Sequence, residues 1–262
     1  MEQRVTIQTQ SGLHLIGLLR APSAESFPLV ILLHGFTGWK EEAHIEALAE
    51  ELVKAGIAAL RIDAPGSGES EGTFEKDYTM TNYIAAVADV LSWAQISPGI
   101  DPERIAIWGH SMGGFVALAS AVRYPAIKAV CCCQPSSGWK VMETSAENAW
   151  RETGWATFGN GRFPEIRLPY SFLTDRAQYN ALDETPKLHI PSLFVAGSRD
   201  TDVTPESVKA MAELAPQPTQ YLEFDTTHGY KRDPEALPAI NNATVEFYKK
   251  FLLRPKRSKT SN

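Results

Sequence analysis

Cysteine is scarce in this 262-residue chain: there are three, and Cys131, Cys132 and Cys133 stand side by side. An odd count leaves one over, and neighbours on an extended strand point to opposite faces, so a disulfide framework is excluded. The C-x-x-C spacing of a zinc site is missing as well. We read the trio as small reduced core residues at the end of a buried strand. Long apolar runs are also lacking. Nothing approaches the ~18 residues of a membrane span, and Met1-Glu2-Gln3-Arg4-Val5 opens without the apolar stretch of a secretory signal. The expectation is no membrane span and a cytoplasmic location. Positive charge is in deficit, with 25 Lys and Arg against 31 Asp and Glu and a net charge of -6. An acidic surface repels a phosphate backbone, so no nucleic acid is expected as a partner. The one basic run, Arg254, Lys256, Arg257 and Lys259, lies at the C-terminal end and reads as a frayed, solvated tail.

What the chain does have is the composition of a globular protein with a sizeable core, 44% hydrophobic and 21% charged. Val5 to Thr9 and His14 to Arg20 resemble an opening hairpin, and Leu29-Val30-Ile31-Leu32-Leu33 is a continuous apolar run of the kind buried on both faces of a sheet. Ile45, Leu48, Ala49, Leu52 and Val53 follow at helical spacing, with Gly56 as a stop. Extended segments recur at Ala58 to Ile62, Arg104 to Trp108, Lys128 to Cys133, Ser192 to Ala196 and Thr219 to Phe224, with helical patterns between several of them. That alternation predicts an α/β fold, a mostly parallel central sheet with helices on both faces, in a single domain spanning 1–262. It fails between Trp139 and about Thr185, a segment rich in aromatics and too long for an ordinary connection. We read it as an inserted helical cap, at about 139–185, over the carboxyl edge of the sheet, where such proteins bind ligands.

The strand ending at Trp108 runs into Gly109-His110-Ser111-Met112-Gly113-Gly114, which fits G-x-S-x-G at a strand-to-helix junction. A nucleophile on so tight a turn takes a strained backbone, and glycines two residues either side remove colliding β-carbons. With this motif the chain resembles the α/β-hydrolase family over nearly its whole length. The resemblance implies a nucleophile, acid and histidine in that chain order. Only His189 and His228 follow Ser111, and His189 precedes every plausible acid, which leaves His228 as the general base. The loop after Leu193 to Ala196 holds Asp200 and Asp202, and Asp225 lies three residues before His228. The family pattern G-x-x-D-x-x-V places the acid at Asp200.

By the same resemblance His34-Gly35-Phe36-Thr37-Gly38 is the oxyanion loop, the backbone N–H of Phe36 serving beside that of Met112, while His34 supports the loop. Asp63-Ala64-Pro65-Gly66-Ser67-Gly68-Glu69-Ser70 matches a family loop that we assign to scaffold, since no phosphate-binding fingerprint accompanies its glycines. Serine at the elbow argues against the dehalogenases and epoxide hydrolases of the fold, which carry aspartate there. The implied activity is a serine esterase acting on a small-molecule ester substrate, with no metal and no cofactor. The loops and aromatic insertion are similar to bacterial carboxylesterases of the cinnamoyl and feruloyl type. Thioesterase, amidase or peptidase action uses the same triad, and a ligand-binding receptor with negligible turnover is the alternative of another class. The sequence is compatible with a homodimer and does not specify one.

Overall fold

A computed structural model describes residues 2–137 and 145–253. The basic run near the C-terminus and Trp139, where the inserted segment was expected to begin, lie outside the described residues. In chain order the elements are β1 (Glu2–Gln8), β2 (His14–Arg20), β3 (Phe27–Leu33), α1 (Ala43–Lys54), β4 (Ala58–Ile62), α2 (Met80–Ile96), β5 (Ile100–His110), α3 (Met112–Arg123) and β6 (Ile127–Cys133). There follow α4 (Ser145–Thr153), β7 (Trp155–Phe158), β8 (Ile166–Pro169), α5 (Ser171–Arg176), α6 (Ala181–Glu184), β9 (Ser192–Gly197), α7 (Pro205–Leu214), β10 (Thr219–Phe224) and α8 (Ala236–Leu252).

Eight strands form one sheet in the order β1-β2-β4-β3-β5-β6-β9-β10. The β1-β2 and β2-β4 pairings are antiparallel, and every pairing from β4 through β3, β5, β6 and β9 to β10 is parallel. Period-two alternation in the apolar strands divides their side chains between two cores. On β3, Leu29, Ile31 and Leu33 join the layer of α2, α3 and α7, whereas Val30 and Leu32 join that of α1 and α8. The cysteines obey the same rule: Cys132 faces one layer, Cys131 and Cys133 the other, all three buried and free. Burial pushes each thiol up, Cys133 to about 12, so they are held as thiols and not thiolates.

This topology sends the chain out of the sheet at the carboxyl ends of β3, β5, β6, β9 and β10, and the loops that follow converge on one edge. Between β6 and β9 lies the inserted segment. It is not helical throughout: besides α4, α5 and α6 it contains an antiparallel ribbon in which β7 pairs with β8, Phe158 opposite Ile166 and Trp155 opposite Pro169. Strands of four residues are too short to show a period of two, which is why the sequence does not announce them. No helix among the described residues is long and apolar enough to cross a membrane.

Candidate active site

Ser111 sits between the last residue of β5 and the first of α3, with φ 56° and ψ -120°. That left-handed conformation costs a β-carbon-bearing residue ~1–3 kcal/mol. It is held by three backbone hydrogen bonds: the Ser111 amide donates to Cys133 O, and Ser111 O accepts from Phe115 and Ser136. The flanking glycines are required by space. A β-carbon on Gly109 would lie 2.0 Å from Gly113 O, and one on Gly113 would lie 2.4 Å from His34 O.

His228, in the loop after β10, brings Nε2 to 2.9 Å from Ser111 Oγ and Nδ1 to 2.7 Å from Asp200 Oδ2. Asp200 is buried at the end of β9 and its carboxylate is saturated. Oδ1 accepts from the amides of Asp202 and Val203, each at 2.9 Å, and Oδ2 accepts from His228 and from Gln134 Nε2 at 2.9 Å. The other acids named by the sequence lie elsewhere: Asp202 is exposed at the cavity, and Asp225 pairs with Arg199 at 2.6 Å on the surface. Asp200, Asp202 and His228 each offer an atom within 4.8 Å of the others, as a metal site would. Asp200 Oδ2 and His228 Nδ1 are already committed to each other, so their own hydrogen bonds account for the grouping.

The loop after β3 brings Gly35 against Ser111, where a β-carbon on the glycine would lie 3.2 Å from Ser111 Cβ, and the Phe36 amide follows next in the chain. Among the described residues neither this amide nor that of Met112 meets a protein acceptor. Thr37, next in the chain, is left-handed at φ 57°, and its amide donates to Tyr78 Oη at 2.9 Å. Tyr78 Oη in turn donates to Gly35 O, and Asn160 from the inserted segment donates to Thr37 O at 2.8 Å. His34 is buried behind the loop. Its Nε2 accepts from the Ala64 amide, so Nδ1 is the donor to Gly35 O, and burial lowers its pKa. Asp63 anchors the same region, bonding the Lys40 amide at 2.7 Å and Lys40 Nζ at 2.8 Å. The glycines after it serve this packing: a β-carbon on Gly68 would collide with the Asp63 carboxylate.

Ser111 and His228 open on a cavity of about 470 Å³. One wall is aromatic, built by Phe36, Trp150, Phe158 and Phe172, with Phe36 edge-on to Phe158 at 5.1 Å. Arg176 is set into it, lowered by burial to about 10 and therefore still a cation at neutral pH. The lining also carries the Glu42–Lys231 pair at 2.6 Å. Behind His228 lie two buried imidazoles, His110 with its ring 4.9 Å away and His44 beyond it. Burial drives both down, His44 to about 4, and both stay neutral.

Several residues of the site carry no signal in the sequence. Tyr78, Gln134 and Asn160 touch the Ser111–His228–Asp200 relay or the loop after β3 through contacts spanning 41 to 123 residues. The one hint was positional: Gln134 is a polar residue directly after a buried apolar strand.

A family model described as the alpha/beta hydrolase family matches residues 30–253. The chain is 36% identical over 117 residues to the thiohydrolase aneE of Aspergillus aculeatus, a match covering 45% of this chain and 36% of that protein. The structure superposes on the alpha/beta hydrolase GrgF from Penicillium sp. sh18 with a TM-score of 0.85 at 20% identity, covering 96% of this chain and 99% of that one. The superposition on Est1E from Butyrivibrio proteoclasticus, solved with ferulic acid bound, gives a TM-score of 0.79 at 26% identity over 95% of this chain and 100% of the other.

Proposed function

The chain belongs to the alpha/beta hydrolase family, and from that premise we propose that it is a serine hydrolase cleaving carboxylic esters through an acyl-enzyme on Ser111. The observation that carries this reading is the continuous relay Ser111 Oγ, His228 Nε2, His228 Nδ1, Asp200 Oδ2, with links of 2.9 and 2.7 Å, on a cavity wall. Nucleophile, base and orienting acid at hydrogen-bond distance constitute the arrangement that activates a hydroxyl.

In the first half-reaction the Ser111 hydroxyl attacks the ester carbonyl and His228 Nε2 takes its proton. Asp200 holds the ring so that Nε2 is free to accept, and stabilises the imidazolium. The Phe36 and Met112 amides receive the oxyanion, an effect worth a factor of ~10² to 10³ per donor. Collapse expels the alcohol, which takes the proton back from His228. Water then enters, gives its proton to His228, and releases the acid and free Ser111. No step calls for a metal or an organic cofactor. The segment between β6 and β9 is read as the cap of this single domain, and its aromatic wall suits aromatic, cinnamoyl or feruloyl-type acyl groups and short-to-medium chains. Similarity to Est1E, solved with ferulic acid bound, supports the first choice. Thioester hydrolysis on the same triad is the second reading, favoured by the 36% match to a thiohydrolase. A cytoplasmic location accompanies either.

Ser111→Ala should reduce hydrolysis of p-nitrophenyl esters to background. A panel of phenyl, short-chain and thioester substrates plus aminoacyl amides then ranks the acyl and leaving-group classes. Retention of most of the rate in Ser111→Ala overturns the assignment. Absence of turnover on the whole panel, with ligand still raising Tm, would make the protein a receptor.

A further inference from the structure

Gln134 stands at the end of β6, fully buried, in the left-handed region at φ 45°. Its backbone amide donates to Val195 O at 2.7 Å, which ties it to β9. Its side-chain nitrogen has two partners, Asp200 Oδ2 at 2.9 Å and Thr227 O at 3.0 Å. Both are obligate acceptors, so the atom between them is the amide nitrogen and not the oxygen, and both of its protons are used. One partner is the acid that bonds His228; the other is the carbonyl next to His228 in the chain. The space for the amide is made by Gly197, where a β-carbon would lie 2.6 Å from Gln134 Nε2.

Resting on the reading of Ser111, His228 and Asp200 given above, we propose that Gln134 is a positioning residue of the relay. One amide group holds the loop after β9 and the loop after β10 at the spacing that the Asp200–His228 hydrogen bond requires. Those loops belong to different strands. Their other ties, the backbone bonds from Ser198 to Phe224 O and from Arg199 to Thr226 O and the side-chain bonds of Ser198 and Arg199 to Asp225, end short of His228. The two amide protons of Asp202 and Val203 fix Asp200 Oδ1. Gln134 fixes Oδ2, the oxygen that faces the imidazole, so the direction of the lone pair offered to Nδ1 is determined from both sides.

The test uses Gln134→Glu, which keeps shape and replaces the donor by an acceptor beside a carboxylate, and Gln134→Met, which keeps volume and removes the donor. Active sites are titrated with a fluorophosphonate so that kcat is expressed per competent site, and Ser111→Ala is assayed in parallel. A misplacement of the order of 1 Å at a reacting group costs ~10² in rate. The expected result is a kcat per site lowered about 10- to 100-fold in Gln134→Met and further in Gln134→Glu, with KM within about twofold. The far-downfield proton resonance of His228 Nδ1–H should broaden or disappear in both. Three results overturn the proposal: wild-type kcat per site with an unchanged resonance, a loss shared equally by the two isosteres, or a loss only in the number of titratable sites. If Ser111→Ala retains turnover, it is the reading of Ser111 that fails, independently of Gln134.

Discussion

Asp200 and Asp202 stand two positions apart beside one histidine, and their surroundings separate them. Asp200 is buried and accepts four hydrogen bonds, one from His228, whereas the Asp202 carboxylate is exposed and its amide serves Asp200. Removing the charge of a triad acid costs ~10⁴ in kcat. Asp200→Asn should lose about that factor on a phenyl ester, and Asp202→Asn should stay within about threefold of wild type. Comparable losses in the two steady-state measurements would undo the distinction. Ser111 was legible because its signal is local, a glycine pattern whose meaning is enforced by collisions of 2.0 and 2.4 Å with nearby backbone. His228 and Asp200 were legible only through chain order once a family resemblance had supplied one. Tyr78 and Gln134 had no such route. A tyrosine in a loop and a glutamine after a strand acquire meaning only when the sheet brings their partners near.

The elements themselves were readable where burial on both faces gives a continuous apolar run, as in β3, β5 and β9, or where one buried stripe imposes a helical period, as in α1. The inserted segment was readable as an interruption and not as a structure. Its ribbon pairs β7 only with β8, outside the main sheet, so no neighbouring strand imposes a pattern on it. That segment reaches back to the loop after β3, the proposed oxyanion loop, through Asn160, which donates to Thr37 O while its own side-chain oxygen accepts from the amides of Arg162 and Phe163. One hydrogen bond is worth ~0.5–1.5 kcal/mol net, a factor of about 2 to 10 if it is fully expressed in the transition state. Asn160→Ala should therefore lower kcat by that factor on every ester, whatever its acyl group. An effect on aromatic esters alone would show that Asn160 acts on the substrate and not on the loop.

At the scale of the whole molecule, the fold keeps three imidazoles buried and below their usual pKa, those of His34, His44 and His110. A histidine whose folded value is depressed is neutral in the native state and binds a proton on unfolding. Its contribution is intact above the unfolded value of ~6.5 and is lost as pH falls through the window down to the folded value. For His44, lowered to about 4 by burial, the loss reaches ~3 kcal/mol across that window. Urea denaturation at pH 7 and pH 5 should show a steep decline in wild type and a shallower one in His44→Phe; parallel declines would mean that His44 is not a source of the acid lability. The hold of Asn160 on Thr37 has a consequence of another kind. The segment whose side chains line one wall of the cavity also braces the loop to which the proposed function gives the stabilisation of charge. On that proposal selectivity and turnover are mechanically geared together, and a lineage that exchanged this segment for another would retune which molecules it accepts only by also resetting how fast it processes them.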